Sequence, residues 1–178
     1  MNDKLFDPEF FNNRPFFKNL IGLNNLIGVE IGVMGGKNAY NILTHLDIKK
    51  LYLVDPYIYY DNIEWESNEH ALVGKKAAIK NLIDFKDKIV WLFYKSEEAV
   101  NYLEDMVDFV YIDGDHRYKY VKKDIELYSK KVKLDGFLAG HDFKSSEIGV
   151  ISAVTESLCG FYKEHWDWWR KILEGDVR

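Results

Sequence analysis

Short, almost continuous apolar runs recur along the chain, over 26–31, 51–54, 89–93, 109–112 and 136–139. They show no alternation with polar positions, which is the pattern of strands covered on both faces. Longer stretches with helical spacing separate them. Over 118–132, Val121, Ile125, Tyr128 and Val132 fall at i, i+4, i+7 and i+11, one face of a helix. Over 148–158, Val150, Ile151, Val154 and Leu158 do the same, and Gly160 marks a stop. Asn13 ahead of Pro15 reads as the start of an N-terminal helix, with Gly22 near its end. Strands alternating with helices at this spacing predict an α/β fold: a Rossmann-like, doubly wound, mostly parallel sheet with helices on both faces. The aromatic stretch 161–173 is expected to add one or two edge strands.

Length fits this plan as a single domain of 178 residues. Its expected parts are an N-terminal helical segment over 1–25, a cofactor-binding core over 26–158, and edge strands with a tail over 159–178. No apolar run approaches the ~20 residues of a membrane span. The opening residues lack a signal-peptide pattern, and the lone Cys159 suits a reducing compartment, so a cytoplasmic protein without membrane association is expected. The net charge is −5, and of 24 basic residues only Arg14, Arg117, Arg170 and Arg178 are arginine. Arginine is the residue suited to phosphate and base-edge contacts, so the composition argues against a nucleic-acid partner.

In an open α/β sheet, ligands bind beyond the carboxyl ends of the strands. The first run leads into Glu30, Gly32, Val33, Met34, Gly35 and Gly36, a turn that lets the backbone approach a ligand and then starts a helix. Met34 stands where the dinucleotide fingerprint has its second glycine. The second run ends in Asp55, Pro56 and Tyr57. Asp55 lies close to the ~20-residue offset at which an acidic residue meets ribose hydroxyls. Ser96, after the third run, reads as a helix N-cap and is compatible with an adenine contact. The fourth run ends in Asp113-Gly114-Asp115-His116 and the fifth in Gly140-His141-Asp142. Carboxylates so placed suit a hard divalent cation, and His116 suits a general base near neutral pH.

The strings Val29-Glu30-Ile31-Gly32-Val33, Val54-Asp55-Pro56, Asp113-Gly114-Asp115-His116-x-Tyr118-x-x-Val121-x-x-Asp124 and Gly140-His141-Asp142 resemble class I S-adenosylmethionine-dependent methyltransferases. More narrowly they resemble the branch of small-molecule and sugar O-methyltransferases, macrolide-sugar enzymes included. The resemblance covers about 26–158. It implies that Glu30 and the turn from Gly32 through Val33 and Gly35 to Gly36 hold the methionine end of S-adenosylmethionine. It places Asp55 on the ribose and Pro56, Tyr57 and Ser96 near adenine, with Asp113 beside the cofactor as well. Asp113 and Asp142 then match ligands of Mg2+ or Mn2+, although His141 departs from an all-oxygen shell. His116 matches the catalytic base of some sugar enzymes, with Asp113 beside it in the catalytic group. The acceptor so implied is a small molecule or sugar hydroxyl. Two other readings remain open: an NAD-dependent oxidoreductase on the same fold, and a non-catalytic cofactor-binding subunit.

Aromatic residues are abundant: 5 Trp, 12 Tyr and 11 Phe. Phe6, Phe10, Phe11, Phe16 and Phe17 crowd the N-terminal segment, where packing onto the sheet or a homodimer contact would use them. Tyr57, Tyr59, Tyr60 and Trp65 follow Asp55 and read as a lid over adenine or a sugar face.

Overall fold

The computed structural model describes residues 5–58, 68–103 and 106–175. Seven strands form one sheet: β1 (Leu26–Ile31), β2 (Ile48–Val54), β3 (Ile89–Leu92), β4 (Val107–Ile112), β5 (Val132–Gly140), β6 (Tyr162–Glu164) and β7 (Asp167–Lys171). Their order is β3-β2-β1-β4-β5-β7-β6. The first five pair in parallel, and the β6–β7 hairpin adds antiparallel to β5. The helices are α1 (Phe10–Asn13), α2 (Lys37–His45), α3 (Asn68–Asn81), α4 (Ser96–Ala99), α5 (Tyr118–Tyr128) and α6 (Ile148–Ser157). Strand order reverses between β1 and β4, and the crevice beyond that switch is where such sheets bind ligands.

Alternate residues of each strand point to opposite faces and meet different helices. Val29, Ile31, Val110, Ile112 and Trp168 share a core with Val121 and Ile125 of α5 and Val150 and Val154 of α6. On the other face Leu51, Leu53, Phe109 and Tyr111 meet Ile42 and Leu43 of α2 and the N-terminal Phe10, Phe16 and Phe17. Gly28 lies opposite Phe109 in the β1–β4 register, and a Cβ there would strike the Phe109 ring at 2.1 Å. That glycine therefore lets a large ring lie across the centre of the sheet.

The N-terminal aromatic residues pack onto the sheet. Phe16 and Phe17 have 0% exposure and stack on or tilt against Tyr111 at 5.8 and 4.7 Å. The segment is also tied by polar bonds. The Phe16 N–H donates to Asp167 Oδ2 at 3.0 Å, and the Tyr111 hydroxyl donates to Asp167 Oδ1 at 2.7 Å. Asp167 is fully buried, so a carboxylate from the edge hairpin joins that hairpin, the central strand β4 and the N-terminal segment.

Several boundaries differ from the sequence expectation. Asn13 closes α1 instead of opening a helix: the Arg14 N–H bonds back to the Phe10 carbonyl, and Pro15 begins a 3-10 helix over Pro15–Leu20. Val132 is not on the helix face. The helix α5 ends at Tyr128, a 3-10 turn spans Ser129–Lys131, and Val132 opens β5. Strands β2, β4 and β5 begin earlier than their apolar runs, and in β4 and β5 the added residues are held by polar bonds. Asp108 in β4 accepts from Lys133 of β5 at 2.8 Å and from the Ile27 N–H at 2.7 Å. Phe93 falls just outside β3.

If the N-terminal segment is core and not an appendage, Phe16→Ala should cost about 3–5 kcal/mol, the usual loss for a buried phenylalanine. Urea unfolding of the two proteins measures it, and a loss below about 1 kcal/mol would show that the segment folds independently of the sheet.

Candidate functional site

The site forms where β1, β2, β4 and β5 end. Beyond β1 the chain turns sharply at Gly32, with φ +87°, and a Cβ there would meet the Asp113 carbonyl oxygen at 2.1 Å. Only glycine allows β1 and β4 to deliver their following loops so close together. The turn is braced by Asp55 at the end of β2. Its Oδ2 accepts from the Val33 and Met34 N–H groups at 3.0 and 2.9 Å, and its Oδ1 accepts from the Tyr57 N–H at 2.9 Å. The Tyr57 hydroxyl donates to the Met34 carbonyl at 2.8 Å, closing the same loop pair from outside. Pro56 links the two anchored residues. Gly35 carries its carbonyl to the Asn81 amide at 2.9 Å, and left-handed Gly36 caps α2.

Glu30, the last residue but one of β1, has 1% exposure. Its Oε1 accepts from the Asn38 side chain at 3.0 Å, while its Oε2 is buried with no partner among the described residues. Burial raises its pKa to about 8, against the lowering effect of the Asn38 bond. A buried carboxylate oxygen without a donor is costly, and a cationic ligand group would satisfy it.

The loops after β4 and β5 carry the second half. Asp113 Oδ2 meets Arg14 Nη2 at 3.3 Å, a contact across 99 residues. Asp142 is the hub. Its Oδ2 lies 3.0 Å from His116 Nε2 and 3.1 Å from His141 Nδ1, and its Oδ1 lies 2.5 Å from Lys144 Nζ. Burial alone would raise its pKa, but the His116, His141 and Lys144 hydrogen bonds outweigh it and hold the group well below the usual carboxylate range. His116 also places Nδ1 at 3.3 Å from Glu147 Oε2. Its pKa is raised, chiefly by the hydrogen bond to Asp142. The pKa of Asp113 is raised too, because burial outweighs the attraction of Arg14 and His141.

A cavity of about 330 Å³ lies beside these two groups. Its lining includes Lys37 and Asn38 at the start of α2, His141 beyond β5, Arg14 and Phe10 from the N-terminal segment, and Trp166 from the edge hairpin. One cleft thus touches both the helix that follows the glycine turn and His141 beyond β5.

The predicted site residues assemble unevenly. Glu30, Gly32, Val33, Gly35, Gly36, Asp55, Pro56 and Tyr57 form one contiguous wall, and Asp113, His116 and Asp142 a second. Ser96 is not an N-cap: Lys95 takes that position. The Ser96 side chain instead hydrogen-bonds the buried Asp124, whose pKa burial raises to about 7. Of the lid reading, Tyr57 packs 6.1 Å from Phe93, whereas Tyr59, Tyr60 and Trp65 lie outside the described residues. Arg14, Lys144, Glu147 and Asp167 have no motif around them, and sequence reasoning passed over them.

Three donor atoms from Asp113, His141 and Asp142 lie within 4.8 Å of one another, the one such group among the described residues. The set fits a hard dication poorly. Arg14 and Lys144 already sit on the two carboxylates, and a hydrogen bond joins His141 to Asp142. Mg2+ and Mn2+ would have to displace these cations to reach oxygen.

A family model described as a methyltransferase domain matches residues 29–143. No curated protein matches the chain. Among solved structures, an rRNA methylase from Streptococcus thermophilus superposes with a TM-score of 0.67 at 14% identity, over 95% of this chain and 99% of that one. The O-methyltransferase NovP gives 0.67 at 13% identity, over 93% and 80%. CalS11, a TDP-rhamnose 3'-O-methyltransferase of calicheamicin biosynthesis, gives 0.65 at 11% identity, over 92% and 78%. At these identities the likeness is one of fold. No helix among the described residues is long and apolar enough to cross a membrane.

Glu30 has a consequence for stability against pH. Its pKa rises from 4.5 to about 8 on folding, so the folded state binds the proton more tightly. Its contribution is complete below the unfolded value and is lost as pH climbs through about 8. Glu30→Gln should therefore gain stability over the natural protein between about pH 5 and about pH 8, read as urea midpoints at both values. Parallel midpoints across that range would show that Glu30 is not buried and uncompensated.

Proposed function

Since the chain belongs to the methyltransferase-domain family, we propose that it is an O-methyltransferase that moves the methyl group of S-adenosylmethionine to a hydroxyl of a small molecule or sugar. The cavity joining α2 to His141 carries this reading. It is an open cleft of small-ligand size, walled by Phe10 and Trp166, with polar groups at both ends. Aromatic walls and convergent polar groups suit a ring with hydroxyls better than a duplex, and the net charge of −5 supports the same choice.

The residues at β1 fit the cofactor. The orphaned Oε2 of Glu30 is a seat for a cationic α-amino group, and the exposed start of α2 after Gly36 suits a carboxylate. Asp55 keeps a free acceptor site on Oδ1 after bracing the turn, enough to accept from a ribose hydroxyl. Gly32, Val33 and Gly35 bring backbone close to the ligand, and Pro56, Tyr57 and Ser96 border the adenine side. When bound, S-adenosylmethionine supplies a methyl group on a positively charged sulfur.

The protein's part is to hold the acceptor oxygen in line and to take its proton. Holding reacting atoms ~3–3.5 Å apart supplies much of the rate. Asp142 fixes His116 by accepting from Nε2, which leaves Nδ1 as the basic nitrogen. Glu147, at 3.3 Å from Nδ1, stabilises the proton once it arrives. Asp113, in the same cluster, orients the acceptor hydroxyl.

Two measurements test these roles. Calorimetry with S-adenosylmethionine should show binding by the natural protein and a loss of at least about tenfold in Glu30→Gln, because the ammonium loses its charged partner. Equal affinity would remove Glu30 from the site. His116→Gln should bind the cofactor normally yet turn over about 100-fold or more slowly on any acceptor found by a screen of sugars and small phenols. Methylation of RNA fragments with none of that panel would reassign the acceptor.

A further inference from the structure

Arginine at position 14 belongs to neither the glycine turn nor the acidic loops, yet its guanidinium reaches the cluster between β4 and β5. Its placement is built into the fold. The Arg14 N–H closes α1 on the Phe10 carbonyl, Pro15 fixes the next backbone angle, and the Phe16 N–H is held by the buried Asp167. Pro15, Phe16 and Phe17 are all buried, so the stem of Arg14 leaves a rigid segment. From there Nη2 lies 3.3 Å from Asp113 Oδ2, and the side chain also lines the 330 Å³ cavity beside His141. The cluster's charge is already balanced: Arg14 answers Asp113, Lys144 answers Asp142, and His116 lies between Asp142 and Glu147. A dication added to that set would leave buried positive charge in excess or would have to drive out two cations.

We infer that Arg14 is the resident cation of this cluster, standing at Asp113 in place of a divalent metal and presenting its guanidinium to the acceptor oxygen in the cavity. The inference rests on the methyltransferase reading for the identity of the acceptor, but not for the location of the charge. A guanidinium offers several N–H donors in a fixed plane, so it holds Asp113 and still has donors for a second oxygen. It polarises that oxygen as a metal would, without needing six oxygen ligands. His141 is accommodated for the same reason: an imidazole is a poor member of a magnesium shell and an ordinary neighbour for an Asp–Arg pair.

The probe is Mn2+ alone, added to the full chain and followed by its electron paramagnetic resonance signal and by calorimetry. The natural protein should leave Mn2+ free. Arg14→Ala should bind it at least about tenfold more tightly, and adding Asp113→Asn to that variant should abolish the gain. Arg14→Lys, which restores a charge, should return the protein to weak binding. Equal Mn2+ binding by the natural protein and Arg14→Ala, whether tight or absent in both, would overturn the inference. The natural protein needs no substitution to fold, so tight Mn2+ binding by it is decisive even if a variant fails. S-adenosylmethionine calorimetry on the same samples separates the two readings. Loss of cofactor binding by the natural protein sinks the methyltransferase assignment and leaves the Mn2+ result to judge Arg14.

Discussion

A buried carboxylate needs donors, and the architecture around Asp167 follows from where it finds them. The side chain enters the protein from β7, an edge strand, and has no exposure. Its partners are the Tyr111 hydroxyl from the central strand β4 and the Phe16 N–H from the N-terminal segment. Burial raises its pKa to about 6 even with those bonds in place, so the carboxylate depends on both of them. With them satisfied, the antiparallel hairpin is fixed to an otherwise parallel sheet, and the N-terminal segment is fixed over the face that carries Tyr111. The apolar rings then complete the layer: Phe10, Phe16 and Phe17 cover what the short helices leave open. That arrangement also walls the cavity, since Phe10, Arg14 and Trp166 come from the two elements that Asp167 joins.

Carboxylates at the ends of the parallel strands face the same requirement and meet it in different ways. Asp55 takes three backbone N–H groups, so its first task is mechanical: it sets the shape of the glycine turn. A ribose contact would be added to that task and not exchanged for it. Asp142 gathers two imidazoles and a lysine and is held ionised. Glu30 finds only one amide and retains an oxygen without a donor. Native proteins seldom bury such a group unless a ligand completes it.

The sheet was legible in the sequence because its signal is local. Apolar runs located the centres of all five parallel strands, and 26–31 matches β1 at both ends. Ends escaped where polar residues extend a strand, as Asp108 and Lys133 do by pairing with each other. Val132 kept helical spacing by coincidence, since a 3-10 turn intervenes before β5. The site was legible to the same degree. Glycine turns and the Asp113 to His116 string follow directly after strands, so topology brings them together. Arg14 and Asp167 escaped because their contacts span 99 and 151 residues, and no spacing or periodicity encodes a pairing so distant.

The carboxylates beyond β1 and those beyond β4 and β5 differ in how the chain balances them. Near β1 Glu30 keeps an oxygen without a donor among the described residues, and burial raises its pKa to about 8, so the chain itself supplies no cation to hold that group ionised. Near β4 and β5 the carboxylates are neutralised by side chains of the chain itself, so that end neither attracts a free cation nor repels an acceptor oxygen. Had both ends been left uncompensated, the buried charges would have repelled one another and lowered stability. The asymmetry comes from the N-terminal segment, in which Arg14 meets Asp113 and, two residues on, the Phe16 N–H donates to Asp167.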